Sequence, residues 1–265
     1  MFNGRIDSPD PQLAALAKHS SVSGLAHALQ RPAGARFYRC ALQVNPYEYT
    51  IRHAKKSAYS SELEYNAAIV DACLKHDVKV VGITDHFRVD TSAGLAQALK
   101  KAGIQVFVGF EASSSEGVHI LCLFPGTMSV QDLERAIGKC GVVDQQSQSP
   151  QSDKTCEQLL QEIPKMGGIA VAAHASSANG VLTTLKGQTR MRVWCSRDLL
   201  AIAVAGARDQ VPEEHRQIVA NKDSAHKRER SIAVINANDV SAPEALAETP
   251  EQETLSPDGV RDPIA

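Results

Sequence analysis

The chain of 265 residues suits one large barrel or two small domains, and it can bury a core without disulfide or metal staples. Apolar residues make up 43% and charged residues 22%, and the formal net charge of −2 indicates neither a nucleic-acid nor a membrane partner. Residues 1–30 lack the apolar core of a signal peptide, no apolar run approaches the ~20 residues that span a bilayer, and none of the six cysteines forms a CxxC pair. These features predict a soluble, cytoplasmic protein with reduced thiols and no membrane partner.

Strand patterns recur along the chain and are separated by helical patterns. Several strands are almost entirely apolar and β-branched, which is typical of strands that are buried on both faces of a parallel sheet. The predicted strands are 37–45, 78–84, 104–111, 118–124, 168–173 and 231–236, and the run 199–205 is also apolar. This alternation predicts a parallel α/β architecture and leaves open whether the sheet is flat or closed into a barrel.

Helix starts are marked by capping residues, including capping boxes at 61–64 and 155–158. The predicted helices are 61–75, a helix that Thr91 or Ser92 opens and Gly103 ends, 131–139, and one that begins at Thr155 and ends at Pro164. Periodicity places Leu63, Ala67, Val70 and Leu74 on one face of the first helix, and Leu95 and Leu99 on the inner side of the second.

The remaining segments do not show the pattern of a barrel strand followed by a helix. Residues 1–36 contain leucines that predict short helices covering one barrel end, while 144–153 reads as a flexible loop. Residues 221–230 are a solvated basic stretch, and 242–265 are rich in proline and acidic residues, which predicts a disordered tail.

Three buried strands are each followed by a potential metal ligand. Asp85-His86 follows the strand at 78–84, Glu111 follows 104–110, and His174 follows 168–173. In α/β barrels the carboxyl ends of the strands form the active-site rim, so the side chains of His86, Glu111 and His174 are expected to converge there. His119 lies within a strand instead, and it too can point inward.

These residues suit metal-assisted phosphoester chemistry. Imidazole and carboxylate ligands bind Zn²⁺, Mn²⁺ or Fe²⁺. A carboxylate such as Glu111 can bridge two ions, and two ions about 3.5–4 Å apart bind a phosphate ester and generate hydroxide. Each residue also has a structural interpretation: Asp85 as a helix cap, Glu111 as a solvated strand end, and His119 as a hydrogen-bonded core histidine. The coincidence of four positions favours the metal interpretation.

Other polar residues are interpreted as structural. The serines at 113–115 either bind phosphate or form a turn, and the chain contains no GxSxG, P-loop or GxGxxG motif. The remaining histidines lie in helical or polar stretches and are expected at the surface: His19, His27, His53, His76, His215 and His226.

Four stretches, in this order, resemble the PHP (polymerase and histidinol phosphatase) domain family: GITDHF (82–87), VGFEAS (108–113), VHILCLF (118–124) and GGIAVAAHAS (167–176). The resemblance covers roughly residues 37–240. It implies a distorted (β/α)7 barrel with a cluster of divalent metal ions at its C-terminal rim and phosphoester hydrolase activity. On that pattern His86, Glu111, His119 and His174 match metal ligands, and Asp85 matches an adjacent acidic position with a catalytic or orienting role.

The chain departs from the family pattern in the first strand and again near residue 240. Gln43 and Asn45 replace the His-x-His pair of the first strand, and the late Asp-x-His motif is represented by Asp239 with Ser241 in place of the histidine. Asp239 is retained as a possible ligand, but the resemblance implies an incomplete cluster. Gln43 and Asn45 alternate on a strand, so both are expected to face the rim while Val44 points into the barrel wall.

The resulting hypothesis is a metal-dependent phosphoesterase acting on a phosphorylated small molecule or a nucleic-acid end, with Glu111 bridging metals and Asp85 or Asp239 orienting the nucleophile. Two alternatives stay open: a catalytically inactive PHP-like scaffold that binds a protein or nucleic-acid partner, and a module with one structural zinc. The segments RCALQVNPYEY and INANDVSAP are similar to PHP-like domains that precede bacterial ATPase modules, which suggests an ATPase partner. The predicted organisation is an N-terminal cap segment (1–36), a PHP-like barrel domain (37–241) and an acidic tail (242–265).

Overall fold

Seven strands form one sheet whose spatial order follows the chain from β1 to β7. The computed structural model describes residues 38–53, 58–142, 144, 147, 150–204, 211–237 and 239–247. The strands are β1 (Arg39–Val44), β2 (Val78–Ile83), β3 (Gln105–Ser113), β4 (His119–Pro125), β5 (Ile169–Ala172), β6 (Ala201–Val204) and β7 (Ala233–Asn236). All six predicted strands are present, and the apolar run at 199–205 supplies β6.

The sheet is mixed, so the expectation of an all-parallel sheet is wrong at one strand. β4 runs antiparallel to both β3 and β5, and the other neighbouring pairs are parallel. The cause lies in the link 114–118, where Ser114 N donates to Val118 O at 2.9 Å in a tight turn. A parallel pair needs a crossover of about a dozen residues or more, and these few residues allow only a hairpin.

The sheet curves until its two outer strands are linked at one end. Asn45 N donates to Val240 O and Val240 N donates to Gln43 O, both at 2.9 Å, so the chain after β7 pairs with the end of β1. The architecture is therefore the distorted barrel that the sequence predicts.

Two apolar clusters occupy opposite faces of this curved sheet. The smaller one is built from alternate residues of consecutive strands and fills the inside with small and branched side chains. Its buried members are Leu121, Leu123, Val171, Ala173, Ala201, Ala203 and Ala237. The larger cluster joins the outer face to the helices and includes Trp194, Phe110 and Phe124. Because the interior is filled, the polar chemistry of the barrel is confined to its rim.

Short helices connect most strands and cover the outer face. They are α1 (Tyr47–Arg52), α2 (Glu62–Lys75), α3 (Ala93–Lys101), α4 (Val130–Lys139), α5 (Cys156–Lys165), α6 (Val181–Thr184), α7 (Gly187–Cys195) and α8 (Glu213–Val219). The capping box predicted for α5 is present, whereas at α2 Ser61 accepts from Glu64 N but the Glu64 side chain accepts from Ser60 N instead of Ser61 N. None of these helices is long and apolar enough to cross a membrane.

The structure adds two details about the helices. The inner side of α2 carries Tyr65, Asn66, Ile69 and Cys73, whereas Leu63 and Leu74 are exposed at 80% and 53%. Pro164, which was expected to end α5, lies inside its last turn, and the helix continues one residue further, to Lys165.

The tail prediction is wrong for its first residues. Pro243–Leu246 form a 3₁₀ helix, and Leu246 is buried in the main core. The loop at 144–153 is also held at its end, because Ser152 is buried and its amide donates to Ser113 O at 2.8 Å. The predicted cap at 1–36 and the tail from 248 lie outside the described residues.

Candidate metal centre

Four strands deliver polar side chains to the same end of the barrel. β2 ends just before Asp85 and His86, β3 carries Glu111 near its carboxyl end, and His174 follows β5. His119 is the first residue of β4 and pairs with Ser113 at the end of β3. Because β4 is antiparallel, its first residue lies at the edge where the parallel strands end.

Glu111 is the centre of this group. Its Oε1 lies 2.7 Å from His119 Nδ1 and 3.4 Å from His174 Nε2, and its Oε2 lies 3.9 Å from His86 Nδ1. The carboxylate is almost fully buried, while the three imidazoles are each exposed by 15–26%. The convergence of His86, Glu111 and His174 expected from the sequence is therefore present.

One donor atom each from Glu111, His119 and His174 lie within 4.8 Å of one another. Four-coordinate zinc with bonds of about 2.1 Å requires donors about 3.4 Å apart, so this arrangement fits a metal with little movement. His174 also has a φ of +32°, in the left-handed region that non-glycine residues rarely adopt. Backbone strain of this kind is found at functional sites, where the surroundings hold the residue in place.

The electrostatics favour the protonation states that bind metal at Glu111. Burial alone would raise the pKa of Glu111, but the nearby imidazoles of His119 and His174 and the charge of His86 hold that pKa well below its usual range. The carboxylate is therefore ionised near neutral pH. Burial opposes the charging of His174, yet the Glu111 carboxylate still raises the pKa of His174 above its ordinary value.

The side-chain amides of Gln43 and Asn45 contact the carboxylates of Glu111 and Asp239. Gln43 Nε2 donates to Glu111 Oε2 at 3.0 Å, and Asn45 Nδ2 donates to Asp239 Oδ1 and to Ser241 Oγ. Both amide residues are buried, and Val44 between them belongs to the outer core. Gln43 and Asn45 thus face the rim and Val44 the barrel wall, as the alternation on β1 predicts.

The two remaining acidic candidates lie outside the close group. Asp85 is buried, its carboxylate is paired with Arg52, and Thr91 Oγ1 donates to it at 3.3 Å. Asp239 is exposed and bonded to Asn45. Neither contributes a donor atom to the set formed by Glu111, His119 and His174.

Sequence reasoning missed three residues of the rim, all on or next to α1. The ring of His53 lies 5.7 Å from that of His86, and the ring of Tyr49 lies 4.3 Å from His53. Arg52 reaches Asp85 from the same helix. Their spacing could have revealed them. Tyr49, Arg52 and His53 are related as i, i+3 and i+4, so they share one face of the helix that follows β1, and β1 ends at the rim.

The expectation of surface histidines is wrong for His53, which packs at the rim, and for His215 and His226, which are buried. His226 Nδ1 lies 2.7 Å from Asp223 Oδ1 and packs within its own turn. His19 and His27 lie outside the described residues. The serines after Glu111 form a turn, in which Ser114 Oγ accepts from Val118 N at 3.1 Å.

The whole fold is similar to solved structures of nucleic-acid and phosphoester enzymes. The lesion-specific endonuclease PfuEndoQ from Pyrococcus furiosus matches with a TM-score of 0.53 and 15% identity, over 78% of this chain and 49% of its own. A protein proposed to be a metal-dependent phosphoesterase, from Bifidobacterium adolescentis, matches with a TM-score of 0.51 and 14% identity, over 80% of this chain and 89% of its own. The chain shares the distorted α/β barrel fold of these proteins.

Endonuclease Q has also been solved with a duplex that carries an abasic lesion at its active site, and that structure matches with a TM-score of 0.52 and 14% identity, over 77% of this chain and 49% of its own. This chain therefore spans about half the length of endonuclease Q. No protein-family model and no curated protein matches the sequence. At these identities the likeness establishes the fold, and the function has to be argued from the site.

Proposed function

We propose that this chain is a metal-dependent phosphoesterase whose PHP-type barrel holds one divalent ion between Glu111, His119 and His174. The observation that carries the proposal is the close approach of these three donors at the rim of a barrel. Three protein ligands that leave one position open are typical of catalytic metal sites, whereas structural zinc sites are closed by four. A divalent ion at such a site polarises a phosphoryl oxygen and lowers the pKa of a bound water.

A single ion is favoured because amides engage the other carboxylate oxygens. Gln43 donates to Glu111 Oε2, the oxygen that faces away from His174, and Asn45 donates to Asp239. An amide N–H₂ stabilises a carboxylate without contributing a metal ligand. Glu111 would then hold one ion through Oε1, and the bond from Asn45 Nδ2 to Asp239 Oδ1 disfavours an ion at Asp239.

The proposed substrate is a phosphate ester, either a phosphorylated small molecule or a nucleic-acid end. The likeness to endonuclease Q, which has been solved with a DNA duplex at its active site, favours a nucleic acid over a small molecule. The rim is open on the side of the three histidines, which gives such a substrate access. The ATPase partner suggested by the sequence stays a prediction, since no structural feature described above bears on it.

The proposal is tested by metal content and hydrolysis measured on the same samples. Protein loaded with Mn²⁺ or Zn²⁺ and desalted should retain about one ion per chain by elemental analysis, and it should hydrolyse p-nitrophenyl phosphate or its diester analogue. His119→Ala should lose both properties. His76→Ala, at the end of α2, is the matched control and should lose neither. Retention of the ion without hydrolysis of either ester would refute the phosphoesterase.

The competing function is an inactive scaffold that binds a partner through its rim. The same amide bonds favour it, because they stabilise the buried carboxylate of Glu111 and the exposed one of Asp239 without any metal. Wild-type protein that folds, retains no ion after loading and hydrolyses nothing would establish this alternative.

A further inference from the structure

Helix α1 forms the wall of the rim beside His86, and this wall carries the permanent positive charge of Arg52. We propose that Arg52 binds a non-bridging phosphoryl oxygen of the substrate and that Asp85 is the positioning residue that holds its guanidinium in place. This inference rests on the proposed phosphoesterase function and deepens it, since it assigns the group that recognises the phosphate.

The contacts of Arg52 are those of an oriented, accessible cation. Its Nη2 bonds the carboxylate of Asp85, whose side chain is fully buried, while the Arg52 side chain is 25% exposed. Thr91 Oγ1 donates to the same carboxylate oxygen at 3.3 Å and fixes it further. In the described part of the chain, Asp85 is the one hydrogen-bond partner of Arg52. A guanidinium has five N–H donors, so several are left for a ligand.

The position of Arg52 is tied to the candidate metal centre through α1 and His86. Asp85 directly precedes His86, whose ring centre lies 5.4 Å from that of His119. Tyr49, three residues before Arg52, lies 5.7 Å from His86. A ligand that contacts His119 therefore lies within reach of the wall formed by α1.

The pKa of Tyr49 is affected by the charged groups around this wall. Burial is the main cause that raises the pKa of Tyr49, and the carboxylates of Asp239, Glu111 and Asp85 raise it further against the opposing charge of Arg52. Tyr49 is therefore close enough to the acidic groups of the rim and to Arg52 for each to affect its pKa.

The chemistry explains why such a cation is needed. Phosphoryl transfer develops negative charge on the non-bridging oxygens, and enzymes stabilise that charge with several metal ions or with Arg and Lys. Amides oppose the binding of a further ion near Glu111 Oε2 and Asp239. Arg52 supplies a permanent charge in a planar fork that matches a phosphate, and it is not deprotonated at working pH.

A purely structural role is the competing explanation, in which the pair only ties α1 to the loop after β2. Removing Arg52 alone would leave Asp85 buried and unpaired and would destabilise the fold. The informative variants are therefore Arg52→Lys, which keeps the charge and loses the fork, and the double variant Arg52→Met/Asp85→Asn, which removes both charges together. The control removes the exposed pair on α4 through Arg135→Met/Asp132→Asn. α4 follows the end of β4 that is opposite to His119.

The probe is inorganic phosphate, titrated calorimetrically into Mn²⁺-loaded and metal-free protein, alongside melting temperature, metal content and the kinetics of p-nitrophenyl phosphate. The double variant should bind phosphate about tenfold or more weakly and raise KM, as expected for loss of charge-assisted hydrogen bonds, with metal content unchanged. Arg52→Lys should be intermediate, and the α4 control should match wild type.

The proposal is overturned if the double variant melts lower yet binds phosphate as wild type does, or if wild-type protein binds phosphate in neither state. Failure of the metal site can be told apart from failure of the phosphate site at Arg52. A chain that retains no ion but shows Arg52-dependent phosphate binding would refute the phosphoesterase and keep the anion site.

Discussion

The two oxygens of the Glu111 carboxylate have different surroundings. Oε1 lies between His119 and His174, and Oε2 accepts from Gln43 and faces His86. One buried carboxylate therefore separates a side that offers metal ligands from a side that offers hydrogen-bond donors. The number of ions at the rim depends on which side chain stands next to Oε2, and this is open to test by substitution.

Removal of the Glu111 charge should abolish metal binding with little change in shape. Glu111→Gln keeps the volume and can still accept from Gln43, but a neutral amide oxygen is a much weaker ligand than a carboxylate. We expect the affinity for Mn²⁺ to fall about 100-fold or more, measured by calorimetric titration, since loss of a ligand should exceed the 10–100-fold effects seen for their supporting partners. Unchanged affinity would place the ion elsewhere.

Restoring histidines on β1 should add a metal ion. In Gln43→His/Asn45→His both imidazoles face the rim, next to Glu111 Oε2 and Asp239, because the amides they replace already contact these carboxylates. Metal content should rise by about one ion per chain. The single variant Gln43→His is the control and should gain less. A double variant that melts like wild type and retains no additional Mn²⁺ or Zn²⁺ would contradict this.

Much of the site was predictable residue by residue, and the exceptions have physical causes. His86, Glu111 and His174 were found because each follows a buried strand, and strand ends meet at one edge. Asp85 was expected to orient a nucleophile, but its carboxylate is bonded to Arg52. That partner lies on a short helix in another part of the chain, and a sequence does not reveal which cation will reach a buried carboxylate.

At the scale of elements, β4 shows how topology places a residue that local sequence does not. His119 begins its strand and would lie far from the rim in a parallel sheet. The hairpin between β3 and β4 reverses the strand and brings His119 within 2.7 Å of Glu111. The sequence contained the clue in the short link at 114–118, which is incompatible with a parallel crossover.

The buried side of α2 could not be predicted, because periodicity does not decide between two faces. Leu63, Ala67, Val70 and Leu74 repeat at helical spacing, but the buried set contains Tyr65, Ile69 and Cys73 at equally good spacing. Because apolar residues lie on both sides of α2, its sequence gives no preferred face. Packing against the rest of the barrel then determines which side of the helix is buried.

The 3₁₀ helix after β7 should contribute measurably to stability. Leu246 is 1% exposed and packs in the main core, so Leu246→Ala removes buried surface and leaves a cavity. We expect it to lower the free energy of unfolding by about 2–4 kcal/mol in urea titrations. The matched control Leu63→Ala, at a residue 80% exposed, should change it by less than about 0.5 kcal/mol. Equal effects of the two variants would show that residues 243–246 do not pack on the barrel.

At the scale of the whole molecule, apolar side chains fill the interior of the barrel, and the candidate site lies at one rim. The interior is filled by Leu, Val and Ala from β4 to β7, and the buried polar groups Gln43, Asn45 and Glu111 are gathered at one rim. The strands could be predicted from local sequence, whereas the barrel was implied by the resemblance to the PHP family and the direction of β4 was not predicted. The number of metal ions could not be predicted, because it depends on contacts between the first strand, the third strand and the segment after β7.

Metal binding should stabilise the entire fold, because its three ligands come from β3, β4 and the end of β5. An ion that binds only the folded chain adds about 2.7 kcal/mol when its concentration is 100 times its Kd. For a chain of this size that corresponds to a rise of several degrees in Tm, at about 2–4 °C per kcal/mol. Scanning calorimetry with Mn²⁺ and then with EDTA measures the shift, and His119→Ala should abolish it.

This stabilisation should also depend on pH in a defined direction. Metal binds neutral imidazole, and the pKa of His174 is raised above its ordinary value by Glu111, so protons compete with the ion up to a higher pH than at a free histidine. The metal-dependent rise in Tm should therefore be larger at about pH 8 than at about pH 6, on either side of the ordinary histidine pKa of about 6.5. A rise that is the same at both values would mean that His174 does not bind the ion, and that the stabilising site lies away from Glu111.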